Sequence, residues 1–251
     1  MVIPVHSDAE QASSPPNVLM IKIDDLNDWV GFMQTHPNAL TPHLDQLAAR
    51  GTVFTNAHAA APLCGPTRAA MLSGLRPSTT GIYGQNTYRI LKANPRIAAV
   101  DLLPEYFARH GYKTMATGKI FHEGSPKQAF DVVGQSRRDF GPRPGGRIAY
   151  TPPRGHHTST DWGAYPENNE AMPDWKNAEW AIEQLNQSHD KPFFMSVGFV
   201  RPHVPWFVPQ EWFDQHPLEK IFLPYNLEGQ LERLPETSRR FAHLPAMPQM
   251  S

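Results

Sequence analysis

The chain alternates short apolar runs with stretches whose apolar residues have helical spacing. The run 17–23 is nearly all apolar, which predicts a central parallel strand buried on both faces. This alternation predicts an α/β fold with a mostly parallel central sheet flanked by helices. The remaining strands are predicted at 52–59, 112–117 and 192–199, and helices at 41–51, from Pro66 onward, at 99–110 and at 174–187.

Two segments differ from this regular pattern. Residues 1–15 are predicted to be a disordered lead-in, which leaves 16–251 as one domain. Residues 123–173 lose periodicity and are rich in Gly, Pro, Arg and His, which predicts a loop-rich insertion beside a functional site.

Composition excludes several classes of protein. With 251 residues and 40% hydrophobic content, the chain can bury a substantial core. A net charge of -1 and the lack of any Lys/Arg run argue against a nucleic-acid partner. No stretch approaches the roughly 18 apolar residues of a membrane helix, and residues 1–16 lack the apolar core of a signal peptide. We therefore expect a soluble chain without a membrane partner, and an export signal upstream stays open.

The only cysteine, Cys64, precedes a predicted helix start at Pro66. A lone cysteine cannot form an internal disulfide, so it contributes either packing or reactivity. Backbone N–H groups at a helix start attract anions, and Arg68 adds a fork of donors for a sulfate-like or phosphate-like group. The sequence thus predicts a reactive residue at an anion site, with a buried cysteine of no chemical interest as the alternative.

Other polar residues follow predicted strands. Asp24 and Asp25 repel each other unless a divalent cation compensates them, although a solvated turn or helix cap also accommodates such a pair. His203 follows the strand 192–199, so we expect it on the same rim of the sheet as the two carboxylates. Trp206 fits either a flat wall for a sugar or a place in the core.

Three segments carry a family resemblance. Cys64-Gly65-Pro66-Thr67-Arg68-Ala69-Ala70-Met71-Leu72-Ser73-Gly74 resembles the Cys-x-Pro-x-Arg signature of the type I, formylglycine-dependent sulfatases. Residues 111–122, ending in Gly-Lys-Ile-Phe-His, resemble the second signature of that family, and 198–206 resemble the histidine loop of its iduronate-2-sulfatase-like members. The resemblance runs in order from about 16 to 223 and implies an alkaline-phosphatase-like fold.

The resemblance also implies a chemistry. A formylglycine-generating enzyme would oxidise Cys64, and the hydrated aldehyde, held by Arg68, would attack sulfur. Asp24, Asp25 and residue 64 would bind calcium. Lys119 would face the sulfate and His122 would act as a base. The substrate, a small-molecule or glycan sulfate ester, would contact Lys119, His203 and Trp206, with His203 giving a proton to the leaving oxygen.

Some interpretations remain open. The family's later metal ligands and a second sulfate-contacting lysine have no counterpart, so we expect a truncated, amino-terminal portion of the fold. A phosphatase or phosphonate hydrolase on the same scaffold and an inactive anion-binding fragment are the alternatives. Four arginines of the insertion fit a solvated basic loop better than a contact to a carboxylated sugar: Arg137, Arg138, Arg143 and Arg147.

Overall fold

The computed structural model of the protein describes residues 15–152, 158–223 and 228–242. The predicted lead-in lies outside the described residues, apart from Pro15. Within the described ranges, no helix is long and apolar enough to cross a membrane.

The main sheet has four parallel strands in the spatial order β1-β5-β2-β3, and a separate parallel pair joins β4 to β6. The predicted parallel α/β architecture is therefore confirmed. The strands are β1 (Val18–Ile23), β2 (Lys113–Gly118), β3 (Val132–Val133), β4 (Trp162–Ala164), β5 (Phe193–Phe199) and β6 (Trp206–Val208).

Helices connect the strands and cover both faces of the sheet. Short 3-10 turns lie at Gly31–Met33, Lys127–Ala129, Asn169–Ala171 and Leu218–Lys220. The α-helices are α1 (Pro42–Ala49), α2 (Cys64–Ser73), α3 (Pro77–Thr80), α4 (Tyr88–Ala93), α5 (Pro95–Ala98), α6 (Leu103–Arg109), α7 (Pro173–Leu185), α8 (Gln210–Asp214) and α9 (Glu236–Ala242).

The core lies on the two faces of β5. Successive residues of a strand point to opposite faces, so Phe194 and Met195 enter different clusters. Phe194 packs with α2 and α6, where its ring stacks on Phe107 at 4.3 Å, whereas Met195 packs towards α7. Both faces of β5 are covered, as its nearly continuous apolar sequence predicts.

The prediction of a central, doubly buried first strand is wrong. Strand β1 is an edge of the sheet, paired only with β5 among the described residues. Leu19 is 44% exposed and Ile21 50% exposed, whereas Lys22 on the other face is buried. An apolar run is consistent with burial on both faces but cannot determine which neighbour a strand acquires.

Two further sequence predictions differ from the structure. Residues 52–59 form an irregular loop with one turn at 55–56 instead of a strand, and Phe54 is 78% exposed. The helix predicted at 99–110 begins only at Leu103, since Pro104 lacks the N–H that a longer helix requires. The carboxylate of Glu105 caps this later start by accepting the Leu102 N–H at 2.9 Å.

Within the described parts of the predicted insertion, 123–152 and 158–173, polar contacts without a sequence period hold the chain in place. The early part of the insertion contributes β3 to the main sheet beside β2. Further along, Asp161 is 4% exposed and accepts the backbone N–H groups of Ile148, Ala149 and Tyr150. These bonds hold the pKa of Asp161 below its ordinary value even though burial alone would raise it.

Candidate active site

The carboxyl ends of three neighbouring strands bring the polar residues together. The Asp24 N–H at the end of β1 donates to Phe199 O at 3.1 Å, and the Lys119 N–H after β2 donates to Gly198 O at 2.9 Å. A Cβ on Gly198 would lie 2.4 Å from Lys119 O, so only glycine allows this approach. The prediction that Asp24 and the loop bearing His203 share one rim is confirmed.

A buried charge cluster lies under this rim. Asp24 is 4% exposed, and its two carboxylate oxygens are divided between two cations. Arg68 Nη2 donates to Oδ1 at 2.7 Å, and Lys119 Nζ, which is fully buried, donates to Oδ2. Burial raises the pKa of Asp24, but the charges and hydrogen bonds of Arg68 and Lys119 outweigh it and hold that pKa below its ordinary value.

Arg68 links this cluster to the helix that carries Cys64. It lies one turn into α2, and its Nη1 donates to the carbonyl oxygens of Lys119 and Ile120, the latter at 3.0 Å. The guanidinium is thus fixed by backbone and carboxylate together. Two cations face one carboxylate in this cluster, which leaves excess positive charge beneath the start of α2.

Cys64 is the first residue of α2, not a residue outside the helix, and it is half-buried. Gln85 Nε2 donates to its Sγ at 3.1 Å, and His122 Nδ1 lies 3.4 Å from the same sulfur. An open cavity of about 480 Å³ adjoins Cys64, and Asp25 and Lys22 also line it. The sulfur is thus held by polar groups and faces open space.

Electrostatics at Cys64 favour the ionised form. Burial raises the pKa of its thiol, but hydrogen bonds from His203 and Gln85 and the charge of Lys119 hold it below its ordinary value. The hydrogen bond to Cys64 in turn raises the pKa of His203, against the effect of burial. His203 Nδ1 lies 2.7 Å from Val204 O, so this nitrogen carries a proton and donates to the carbonyl.

His122 occupies the opposite side of Cys64 and has a different partner. Its Nε2 lies 2.8 Å from Arg138 Nη1. Burial, followed by the positive charges of Arg138 and Lys119, lowers the pKa of His122 to about 4. The ring is therefore neutral at pH 7. Arg138 is exposed, as expected of a solvated basic loop, and its guanidinium also donates to this ring.

Arg201 braces the histidine loop. It donates to three carbonyl oxygens, those of Phe207 at 3.3 Å, His203 at 3.2 Å and Phe140 at 2.6 Å. Asp174, the second residue of α7, accepts the N–H of Arg201 at 2.8 Å. These bonds fix the backbone that presents the His203 ring beside Cys64.

The two adjacent carboxylates have different environments. Asp25 is exposed, with a left-handed φ of 62°, while Asp24 is buried and already paired with two cations. Among the described residues, no group of three or more His, Cys, Asp or Glu side chains is arranged to hold a metal ion. These residues do not by themselves fit a complete calcium site.

Three residues of this site had no signal in the sequence. Gln85 and Phe140 lie in loops without a motif, and Arg138 is one of several arginines in the insertion. The Phe140 ring lies 5.5 Å from both Lys119 Nζ and Arg138 Cζ, and 5.2 Å from the His203 ring. Trp206, in contrast, is 42% exposed, which excludes a core position.

Comparisons with known proteins show which proteins this chain is similar to. A protein named Sulfatase from Formosa agariphila is 43% identical over 243 residues, which cover 93% of this chain and 48% of that protein. Iduronate 2-sulfatase of Homo sapiens is 30% identical over 237 residues, covering 87% of this chain and 40% of the human enzyme. The chain thus spans less than half the length of each of these relatives.

A solved structure shows the same fold. The phosphonate monoester hydrolase of Agrobacterium radiobacter superposes with a TM-score of 0.57 at 19% identity, covering 87% of this chain and 48% of that one. The predicted alkaline-phosphatase-like architecture is confirmed. The family model described as Sulfatase matches residues 16–226, so the chain belongs to the sulfatase family.

Proposed function

We propose that the whole protein is a sulfuric ester hydrolase that cleaves sulfate monoesters on sulfated sugars. The observation that carries this proposal is the polar surround of Cys64, whose sulfur contacts Gln85, His122 and His203. A cysteine that serves only packing needs apolar neighbours, not three polar ones. Membership in the sulfatase family gives the reaction class.

Formylglycine in place of Cys64 would supply a hydrated aldehyde oxygen as the nucleophile for sulfur. The residues present fit this group, because the hydroxyl oxygens need hydrogen-bond partners and Cys64 Sγ stands where one such oxygen lies. Gln85 Nε2 and His122 Nδ1 would bind that oxygen. The excess positive charge of Arg68 and Lys119 would stabilise the negative oxygens of a sulfate ester.

His203 is placed to act on the other side of residue 64. Its Nδ1 proton is held by Val204 O, and Arg201 anchors the loop through His203 O. A fixed imidazole beside the reacting group can pass a proton to the oxygen of the leaving alcohol. We propose this role for His203.

Calcium is the cation we propose for the whole protein, with Asp24 and Asp25 as two of its ligands. The described residues do not complete that site, so calcium binding by these two carboxylates alone is expected to be weak. Isothermal titration of the 251-residue chain with calcium tests this, and Asp25→Asn is the control that removes the exposed carboxylate. Tight binding that survives in the control would contradict the assignment.

The substrate class is proposed from the relatives and from one surface feature. One relative is named iduronate 2-sulfatase, which points to a sulfated sugar of the glycosaminoglycan type. Trp206, exposed beside the His203 loop, offers a flat apolar face against which a sugar ring can pack. Trp206→Ala is expected to raise KM more than it lowers kcat.

Two measurements test the function. The whole protein is produced together with a formylglycine-generating enzyme, and mass spectrometry of the Cys64 peptide is expected to show CHO in place of CH2SH. Hydrolysis of paired aryl sulfate and aryl phosphate substrates then separates the reaction classes, and Cys64→Ala provides the inactive control. An active protein with an unmodified thiol would refute the proposal, and faster phosphate cleavage would favour a phosphatase or phosphonate hydrolase.

A further inference from the structure

Arg138 contacts the edge of His122 that faces away from Cys64. Its Nη1 lies 2.8 Å from His122 Nε2 and 3.4 Å from the backbone oxygen of the same residue. The other ring nitrogen, Nδ1, lies 3.4 Å from Cys64 Sγ. His122 therefore bridges an arginine of the insertion and the residue at the start of α2.

The two contacts of His122 are consistent with only one placement of the proton on its ring. A guanidinium has only donors, so His122 Nε2 must accept with its lone pair. A neutral imidazole carries a single proton, which therefore lies on Nδ1. The Nδ1 proton points at Sγ, which makes His122 a hydrogen-bond donor to residue 64.

Backbone geometry presents Arg138 to the ring. The Arg138 N–H donates to Glu123 O at 2.8 Å, and the Ser125 N–H donates to Ser136 O at 2.9 Å, so the segment after His122 is tied to the segment that carries Arg138. Gly124 has a φ of 127°, and a Cβ there would lie 2.6 Å from Arg138 N. Only glycine allows the two segments to approach this closely.

We propose that Arg138 is a positioning residue that fixes His122 in the tautomer whose Nδ1 proton faces residue 64. The effect on catalysis rests on the proposed function, whereas the tautomer itself does not. His122 then donates to the oxygen at position 64 and does not take a proton from it, in contrast to the base expected from the sequence. His203, whose Nδ1 proton is engaged by Val204, leaves Nε2 as the ring nitrogen that can exchange a proton at this site.

Nitrogen NMR of the 251-residue chain labelled with 15N-histidine tests the tautomer directly. His122→Gln identifies the His122 signals by their loss. In the unaltered chain near neutral pH, we expect His122 Nδ1 to carry the proton and Nε2 to show the shift of an unprotonated nitrogen. In Arg138→Met, which removes every donor, Nε2 is expected to gain proton occupancy at the expense of Nδ1.

Two variants are matched to this one. Arg137→Met changes the neighbouring exposed arginine, and the His122 signals are expected to stay as in the unaltered chain. Arg138→Lys keeps a donor and is expected to keep the Nδ1-protonated form. A proton on Nε2 in the unaltered chain, or signals that Arg138→Met leaves unchanged, would overturn the proposal.

Kinetics of the formylglycine-bearing whole protein give a second readout. Arg138→Met is expected to lower kcat about tenfold or more with little change in KM, and Arg138→Lys to restore most of it. If the NMR result holds but no sulfate ester is cleaved, the proposed function fails while the tautomer assignment stands. If sulfate esters are cleaved and Arg138→Met changes neither the signals nor kcat, the positioning role fails alone.

Discussion

The two halves of the site, one around Asp24 and one around Cys64, differ in how deeply their polar groups are buried and paired. Around Asp24, each oxygen of a buried carboxylate accepts from one cation, Arg68 or Lys119, and both cations are buried with it. Around Cys64, the thiol is half-buried and its polar neighbours leave it open to a cavity. The first half holds strands and helix together, and the second leaves a reactive atom accessible.

The difference shows that two adjacent residues of one type need not share a role. Asp24 belongs to the closed half, since both of its oxygens have partners inside the chain. Both carboxylates line the cavity beside Cys64, but Asp25 is exposed whereas Asp24 is buried. The predictions below test which residues belong to the closed half around Asp24 and which to the open half around Cys64.

The largest effect is expected for Asp24→Asn. This change leaves two buried cations without a compensating charge, which costs about 3–5 kcal/mol of unfolding free energy. Asp25→Asn, at the exposed neighbour, is expected to change it by less than about 0.5 kcal/mol. Urea denaturation of both variants measures the two values. Equal losses would show that the carboxylates are equivalent and that the comparison is wrong.

A smaller effect is expected for Arg201→Met. It removes charged hydrogen bonds to the carbonyl oxygens of His203, Phe207 and Phe140, at a cost of about 2 kcal/mol. Arg143→Met, at an exposed arginine of the insertion, serves as the control and is expected to be near neutral. Thermal and urea unfolding measure both. If Arg201→Met leaves the free energy of unfolding unchanged, the hydrogen bonds of Arg201 do not stabilise the histidine loop.

Gly124→Ala is expected to cost about 1–3 kcal/mol, because its backbone angle strains an alanine and the new Cβ meets the segment 136–138. Gly145→Ala, where a Cβ meets no atom within 4 Å, is the matched control. Chemical denaturation gives the stability of each variant. Retention of full stability in Gly124→Ala would show that the contact between the two segments is loose.

The smallest change in stability is expected for Gln85→Leu on the open side of Cys64. Gln85 is exposed, so the free energy of unfolding should move by less than about 0.5 kcal/mol. Its hydrogen bond lowers the pKa of Cys64, so its loss should raise that pKa and move the pH midpoint of thiol alkylation upward. If the midpoint stays in place or falls, Gln85 does not lower the pKa of Cys64, and the lowering is due to His203 and Lys119 alone.

Local patterns predicted much of this molecule. Apolar runs located β2 and β5, and the Pro42 and Pro66 signals located α1 and α2 to within a few residues. Motif residues placed Cys64, Arg68, Lys119, His122 and His203 at one site. These features depend on residues close in sequence or on a long motif, and both kinds of signal are visible without coordinates.

The remaining features depend on spatial neighbours. The edge position of β1 follows from which strands flank it, and residues 52–59 form no strand because none of the described strands pairs with them. Arg138 reaches His122 through a glycine-dependent approach of two loops, and neither loop has a period. Pairing of distant segments of this kind leaves no mark in a single sequence.

The open edge of β1 affects how this chain behaves in concentrated solution. Its outer backbone groups have no strand beside them within the described residues, and Leu19 and Ile21 present apolar side chains there. Such an edge is a template for intermolecular strand pairing, so self-association should grow with protein concentration. A charged residue at position 19, as in Leu19→Lys, should suppress aggregation and leave the cavity beside Cys64 unchanged, since Leu19 does not line it.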